Sequence, residues 1–120
     1  LSRVHAHGFV ELSEELPRND VFVFPSHLEG SAKAVYEALA CGLPVVTTPN
    51  AGSIVRNGME GYLVPPGDEE ALAEAIQRLH TDSALRSRMG DAARTRAEEF
   101  PWSRYARAVW KMYERTTETK

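Results

Sequence analysis

The sequence predicts an α/β fold: a Rossmann-like parallel sheet of about four strands, layered with helices and ending in two or three C-terminal helices. Three observations carry this. Short apolar runs alternate with stretches of helical spacing, an order that needs crossover connections and therefore parallel strands. The run Val21-Phe22-Val23-Phe24 is continuously apolar, the pattern of a strand buried on both faces. Beyond Gly67 the chain changes character and carries helical periodicity alone.

Val4 to Val10 alternates loosely and ends in Gly8-Phe9-Val10, which predicts a short strand running into a turn. Ser13 to Leu16 is a short helical turn closed by Pro17. After the Val21 to Phe24 strand, Ala32 to Cys41 predicts a helix, stopped by Gly42 with Pro44 two residues beyond. Pro44 to Thr48 is the next buried strand. Ala51-Gly52-Ser53 opens a short helix through Arg56, ended by Asn57-Gly58, and Tyr62 to Val64 is a last short strand before Pro65-Pro66-Gly67. Asp68 caps a helix with Glu69 and Glu70 in its first turn, where acids suit the dipole, and Leu72, Ala73, Ile76 and Leu79 form its apolar face. A second helix runs from about Ser83 to Glu99, with Leu85, Met89, Ala92, Ala93 and Ala97 as its seam. Pro101-Trp102-Ser103 breaks it, and a third carries Tyr105, Val109, Trp110, Met112 and Tyr113.

Composition narrows the class. The chain has 120 residues, enough for one domain, and 42% hydrophobic against 26% charged residues mark a globular protein. A formal charge of −3 offers no basic footprint, so nucleic acid is not an expected partner. No apolar run approaches the roughly 20 residues of a membrane span. The lone Cys41 suits a reducing compartment, and a cytoplasmic location is expected. The start at Leu1, without methionine and almost directly in an expected strand, suggests a piece of a larger protein.

The stretch Glu29-Gly30-Ser31-Ala32-Lys33-Ala34-Val35-Tyr36-Glu37 sets two acids eight positions apart across a glycine turn and a helix start. Ligands of open α/β sheets gather outside the carboxyl ends of strands, and the first amides of a helix lack internal partners. The amides of Ser31, Ala32 and Lys33 can therefore receive a diphosphate, while carboxylates suit hydroxyls; a nucleotide-diphosphate sugar has both. Glu37 falls about one and a half turns into the helix, off the stripe of Ala34, Val35, Ala38 and Leu39. The plainer alternatives stay open: Lys33 and Glu37 are spaced as a surface ion pair, Glu29 as a loop acid, Gly30 as a turn residue.

Phe22-Val23-Phe24-Pro25-Ser26, then Glu29-Gly30, then Glu37-Ala38-Leu39-Ala40-Cys41-Gly42-Leu43-Pro44-Val45-Val46, resembles the C-terminal donor-binding domain of family-4 retaining glycosyltransferases of the GT-B fold. The hallmark is a Glu, seven residues and a Glu, followed by a small-residue helix and a Gly-x-Pro-Val-Val strand. The resemblance continues through Asn57 to Asp68, Ala71 to Ile76, Ala92-Ala93-Arg94 and Phe100-Pro101-Trp102.

That resemblance implies the following roles. Glu29 is the catalytic-site acid, contacting donor-sugar hydroxyls near the anomeric carbon. Glu37 binds the ribose hydroxyls. Gly30, Ser31, Ala32 and Lys33 hold the diphosphate and stabilise the departing charge, with Gly52 and Ser53 also at the donor. No metal is required, and the nucleotide sugar is substrate rather than cofactor. Residues 1–100 correspond to a partial nucleotide-sugar-binding domain, and 101–120 to a helix that crosses to an N-terminal acceptor domain. With that domain and the first part of the donor domain absent, the chain alone is expected to lack turnover, and the exposed sheet edge or last helix to seek another surface, such as a second copy. In the full-length parent, docking at a membrane through the absent domain is compatible with the family.

Two departures bear on specificity. Where many members have Gly-Phe-Gly-Leu after the first acid, this chain has Gly30-Ser31-Ala32-Lys33; where many have two glycines after the next strand, it has Gly52-Ser53, with Ser53 placed to cap a helix or touch the donor. The rival readings are a non-catalytic flavodoxin-like interaction module and a GT-B epimerase or phosphorylase fragment. His5 and His7 share a face if their segment is a strand, yet no third metal ligand accompanies them. His27 reads as an exposed loop residue, Cys41 as a small buried one, and Trp102, Trp110, Tyr105 and Tyr113 as core or helix-docking aromatics.

Overall fold

The computed structural model describes residues 3–28 and 33–118, apart from the side chains of residues 102, 105 and 116–118. In chain order the elements are α1 (Leu12–Glu15, continued by a 3-10 turn over Leu16–Arg18), β1 (Phe22–Phe24), α2 (Lys33–Ala40), β2 (Val45–Thr47), a 3-10 turn (Pro49–Ala51), β3 (Gly61–Leu63), α3 (Glu69–Thr81), α4 (Ser83–Glu99) and α5 (Trp102–Glu118). The three strands are parallel in the order β1-β2-β3, with Phe22 opposite Val45 and Val45 opposite Gly61. The parallel α/β class is as expected.

The alternation of side chains along β2 builds two cores. Val45 points into a cluster with Val35, Ala38 and Leu39 of α2, together with Leu16, Leu43, Ala51, Val55 and Ala93. Val46 points the other way, into Val64, Ala75, Leu79 and Met89. On β1, Phe22 and Phe24 share the first face, their rings nearly parallel with centroids 6.1 Å apart. Helix α4 packs against both α2 and α3, giving Met89 to one core and Ala93 to the other. Gly90 makes this approach possible: a Cβ there would lie 2.5 Å from the Gly42 carbonyl oxygen.

Helix ends follow local chemistry. Gly42, at φ +74°, lets the chain leave α2 while its N–H donates to Leu39 and that of Leu43 to Ala38. Asp68 Oδ1 accepts from Ala71 N at 2.9 Å to cap α3, as the sequence predicts. Asp82 Oδ1 does the same for α4, accepting from Leu85 N at 3.0 Å, and Arg86 Nη1 donates to the last α3 carbonyls, Leu79 and His80.

Four expectations are corrected. Val4 to Val10 is not a strand: it is exposed throughout and pairs with no strand among the described residues, so the described sheet has three strands rather than about four. The strand β1 is only half-buried, with Val23 37% exposed, because α3 covers β2 and β3 but does not reach across β1. In α3 the inward stripe is Ala71, Leu72, Ala75 and Leu79, whereas Ala73 and Ile76 are exposed. Finally, Ser53 to Arg56 is not helical. Gly52, at φ +63°, ends the preceding turn, and the backbone groups that a helix would pair internally go to side chains: Arg56 N–H to Glu60, and the Ile54 carbonyl to Arg96.

Every α5 residue whose side chain is described is exposed. Trp110 and Tyr113 are therefore not core aromatics; they pack on each other with ring centroids 5.5 Å apart, and Trp110 Nε1 donates to Glu114 at 2.9 Å. The side chains of Trp102 and Tyr105 lie outside the described residues.

Candidate functional site

The carboxyl ends of the three strands open on one side of the sheet and lead into Pro25–Leu28, Thr48–Ser53 and Val64–Gly67. Two buried hydroxyls hold this rim together. Thr47 Oγ1 donates to the Phe24 carbonyl at 2.8 Å, and Thr48 Oγ1 to the Ser26 carbonyl at 2.5 Å. Each satisfies a carbonyl that strand pairing leaves open, so the ends of β1 and β2 keep a fixed separation. The exposed His27 reaches toward the loop after β3, since a Cβ on Gly67 would sit 3.6 Å from its Cε1.

The described part of α2 begins at Lys33. Val35, Ala38 and Leu39 are buried, and Glu37 falls off that stripe with its side chain 33% exposed. Lys33 Nζ lies 3.6 Å from Glu37 Oε1 and is 73% exposed, so the ion pair that the spacing permits is present. Such a pair contributes about 0.2–0.5 kcal/mol. A hydrogen bond between a carboxylate and a ligand hydroxyl contributes about 1.5–3 kcal/mol, enough to displace it. Of the other residues singled out from the sequence, Glu29, Gly30, Ser31 and Ala32 lie outside the described residues. Gly52 is exposed, and Ser53 is half-buried with Oγ 3.4 Å from Val55 N. No helix follows for Ser53 to cap, which corrects that half of its expected role.

One constellation escapes sequence reasoning. The Glu60 carboxylate is fully buried. Its Oε1 accepts from Arg56 N at 3.0 Å and Arg56 Nε at 3.1 Å; its Oε2 accepts from Arg56 Nη2 at 2.9 Å. Arg96 Nε stands 3.8 Å from Oε1 and donates to the Ile54 carbonyl at 3.0 Å, while its guanidinium lies over the Phe100 ring. The hydrogen bond with Glu60 holds the Arg56 guanidinium above the ordinary arginine range. Arg78 is also raised, first by Tyr62 and then by Glu74. Arg56 and Glu60 are four apart, a spacing that reads as a surface helical pair, and nothing local announces Arg96.

Among the described residues, no group of three or more His, Cys, Asp or Glu is placed to hold a metal ion. His5 and His7 have ring centroids 6.3 Å apart on the exposed N-terminal segment. No helix among the described residues is long and apolar enough to cross a membrane.

Comparison with known proteins accords with this geometry. The family described as "Glycosyl transferases group 1" matches residues 1–82. Over 81 residues the chain is 44% identical to the capsular polysaccharide biosynthesis glycosyltransferase CapM of Staphylococcus aureus, covering 66% of this chain and 21% of that protein. Over 97 residues it is 38% identical to the D-inositol 3-phosphate glycosyltransferase of Corynebacterium jeikeium, covering 79% and 23%. Among solved structures, the sucrose-phosphate synthase of Thermosynechococcus elongatus superposes with a TM-score of 0.75 at 35% identity, covering 84% of this chain and 26% of that one. The chain thus spans about a fifth to a quarter of the length of these proteins. A parallel sheet followed by helices, a partly open Glu37 on α2, and a family match over residues 1–82 together make this chain a member of the group 1 glycosyltransferases, the family-4 enzymes of the GT-B fold.

Proposed function

We propose that the chain is the donor-binding part of a retaining glycosyltransferase, which moves a sugar from a nucleotide-diphosphate sugar to an acceptor hydroxyl. The observation that carries this is the β1–α2 unit: a strand end, a loop and a helix on which Glu37 stands clear of the buried stripe, in a chain of glycosyltransferase family. Glu37 takes the ribose hydroxyls, exchanging its weak pair with Lys33 for them. Lys33, released, turns toward the diphosphate, where a positive charge is worth more. The amides after Gly30 hold the same group, and Glu29 contacts the donor sugar beside the anomeric carbon. Gly52 and Ser53 line the neighbouring rim.

In this scheme the bond from the anomeric carbon to the diphosphate oxygen breaks, and the diphosphate leaves with the electron pair. Amides and Lys33 stabilise that charge without a metal. The acceptor oxygen bonds to the same face of the sugar and passes its proton to the departing diphosphate oxygen. The acceptor wall of the cleft comes from an N-terminal domain outside residues 1–120, so those residues by themselves do not turn over. Cys41, a free and half-buried thiol, fits the reducing cytoplasm.

The test is calorimetric titration of the full-length parent with UDP-, GDP- and ADP-hexoses, repeated with Glu37→Ala and Glu29→Ala. Glu37→Ala is expected to weaken every donor alike, by about tenfold or more, since ribose is common to all. Glu29→Ala is expected to act mainly on turnover. The rival interaction-module reading draws on the Lys33–Glu37 pair as a finished structural contact; donor affinities unmoved by Glu37→Ala would favour it.

A further inference from the structure

We infer that Glu60 is a positioning residue for the donor rim: with Arg56 and Arg96 it holds the segment Gly52–Arg56, and hence Ser53, in register. The inference rests on the donor-site reading above.

The segment needs an external holder. From Gly52 to Arg56 it makes neither helix nor ladder, yet it is the descending half of the β2–β3 crossover. Its fixed points are the buried Val55 side chain, the Ile54 carbonyl held by Arg96, and the Arg56 N–H held by Glu60. The holders are themselves anchored. Glu60 is wedged between the Asn57-Gly58 turn and β3, its own carbonyl accepting from Val45 N at 3.0 Å. The next residue, Gly61, has no room for a side chain, because a Cβ would land on the Val45 carbonyl. Arg96 is carried by α4 and pinned further by Glu99 at 2.9 Å.

Packing alone does not call for a charge here. A buried carboxylate is costly to desolvate, and apolar groups of similar volume often replace buried ion pairs without loss of stability. What an apolar residue cannot do is accept from the Arg56 backbone N–H and guanidinium at once while attracting the second guanidinium, Arg96, 3.8 Å away. The carboxylate therefore specifies a conformation of the segment, which is a different service from filling space.

Two measurements test this. Hydrogen exchange on the chain with Glu60→Gln is expected to speed the amides of residues 53–56 about tenfold, with β2, α3 and α4 unchanged. In the full-length parent the same variant is expected to raise the donor KM about fivefold while kcat stays within about twofold. Arg96→Met, which leaves the Arg56–Glu60 pair in place, should reproduce both effects more weakly, and decides the matter if Glu60→Gln unfolds the chain. Unchanged local exchange, or faster exchange with an unchanged donor KM, overturns the inference. Glu37→Ala in parallel separates the failures: if it weakens donor binding and Glu60→Gln does not, only this inference falls; if it has no effect, the donor-site reading falls and takes this inference with it.

Discussion

The Thr48 hydroxyl donates to the Ser26 carbonyl at 2.5 Å, binding the end of the central strand to the loop that leaves its edge neighbour. Thr47 repeats the contact one residue earlier, on Phe24. Thr47 closes β2 and Thr48 follows it, so the two bonds tie successive positions of the rim to the end of β1 and the loop beyond it.

Thr48→Val keeps the shape of the side chain and removes the donor. It is expected to lower the unfolding free energy by about 1 kcal/mol in urea titrations, a typical net value for one hydrogen bond. A change below a few tenths would mean that water replaces the hydroxyl at Ser26 without loss.

Gly90→Ala should destabilise the chain even though alanine is the better helix former by about 1 kcal/mol. The added Cβ meets backbone, the Gly42 oxygen at 2.5 Å, which cannot rotate away. Separating α4 from the α2 turn is expected to cost about 1–3 kcal/mol net, read as a lower urea midpoint. Gly61→Ala, which drives a Cβ into the Val45 carbonyl, should be the more damaging of the two and abolish the cooperative transition in circular dichroism.

Arg56→Gln tests the sign of a pH dependence. Glu60 raises the Arg56 value in the folded state, so the stability that this arginine contributes is complete at every pH below the ordinary arginine range. It is lost only as pH climbs through the raised folded value. The difference in unfolding free energy between wild type and Arg56→Gln should therefore stay flat from about pH 7 to about pH 10. A difference that shrinks across that window would show that the pair does not hold as described.

Among the described side chains, those of α5 contribute to neither core, so a chain ending at Phe100 is expected to unfold within about 1 kcal/mol of the full one. The exposed Val109, Trp110, Met112 and Tyr113 form an apolar face on α5, for which the expected occupant is a second copy of the chain. Sedimentation should show dimers that Trp110→Glu removes and the shortened chain lacks. A monomer at about 0.1 mM would assign that face to something other than a second copy.

Much of this was legible in the sequence. The continuous run Val45-Val46-Thr47 announced a doubly covered strand, Asp68 a helix cap, Gly42 a helix end, and Ser83 to Glu99 a helix of those bounds. These are local signals. What failed depends on partners distant in the chain. Ala73 and Ile76 carry helical spacing as well as Ala75 does, and only the position of β2 and α4 chooses between the stripes. Val4 to Val10 alternates like a strand but finds no ladder. Residues 53–56 have the length of a helical turn, yet Arg96, forty residues on, takes the carbonyl that such a turn would use. The strand, glycine turn and helix drew attention to Glu29 and Glu37, but spacing alone left Lys33 and Glu37 equally an ordinary surface pair, and only the family pattern favours the proposed donor role.

Helix α4 gives Met89 to one layer and Ala93 to the other. One helix thus closes both faces of the sheet, so the two layers are expected to lose their packing together when α4 comes away. Unfolding is then a single event shared by the two layers rather than the peeling of one from the other.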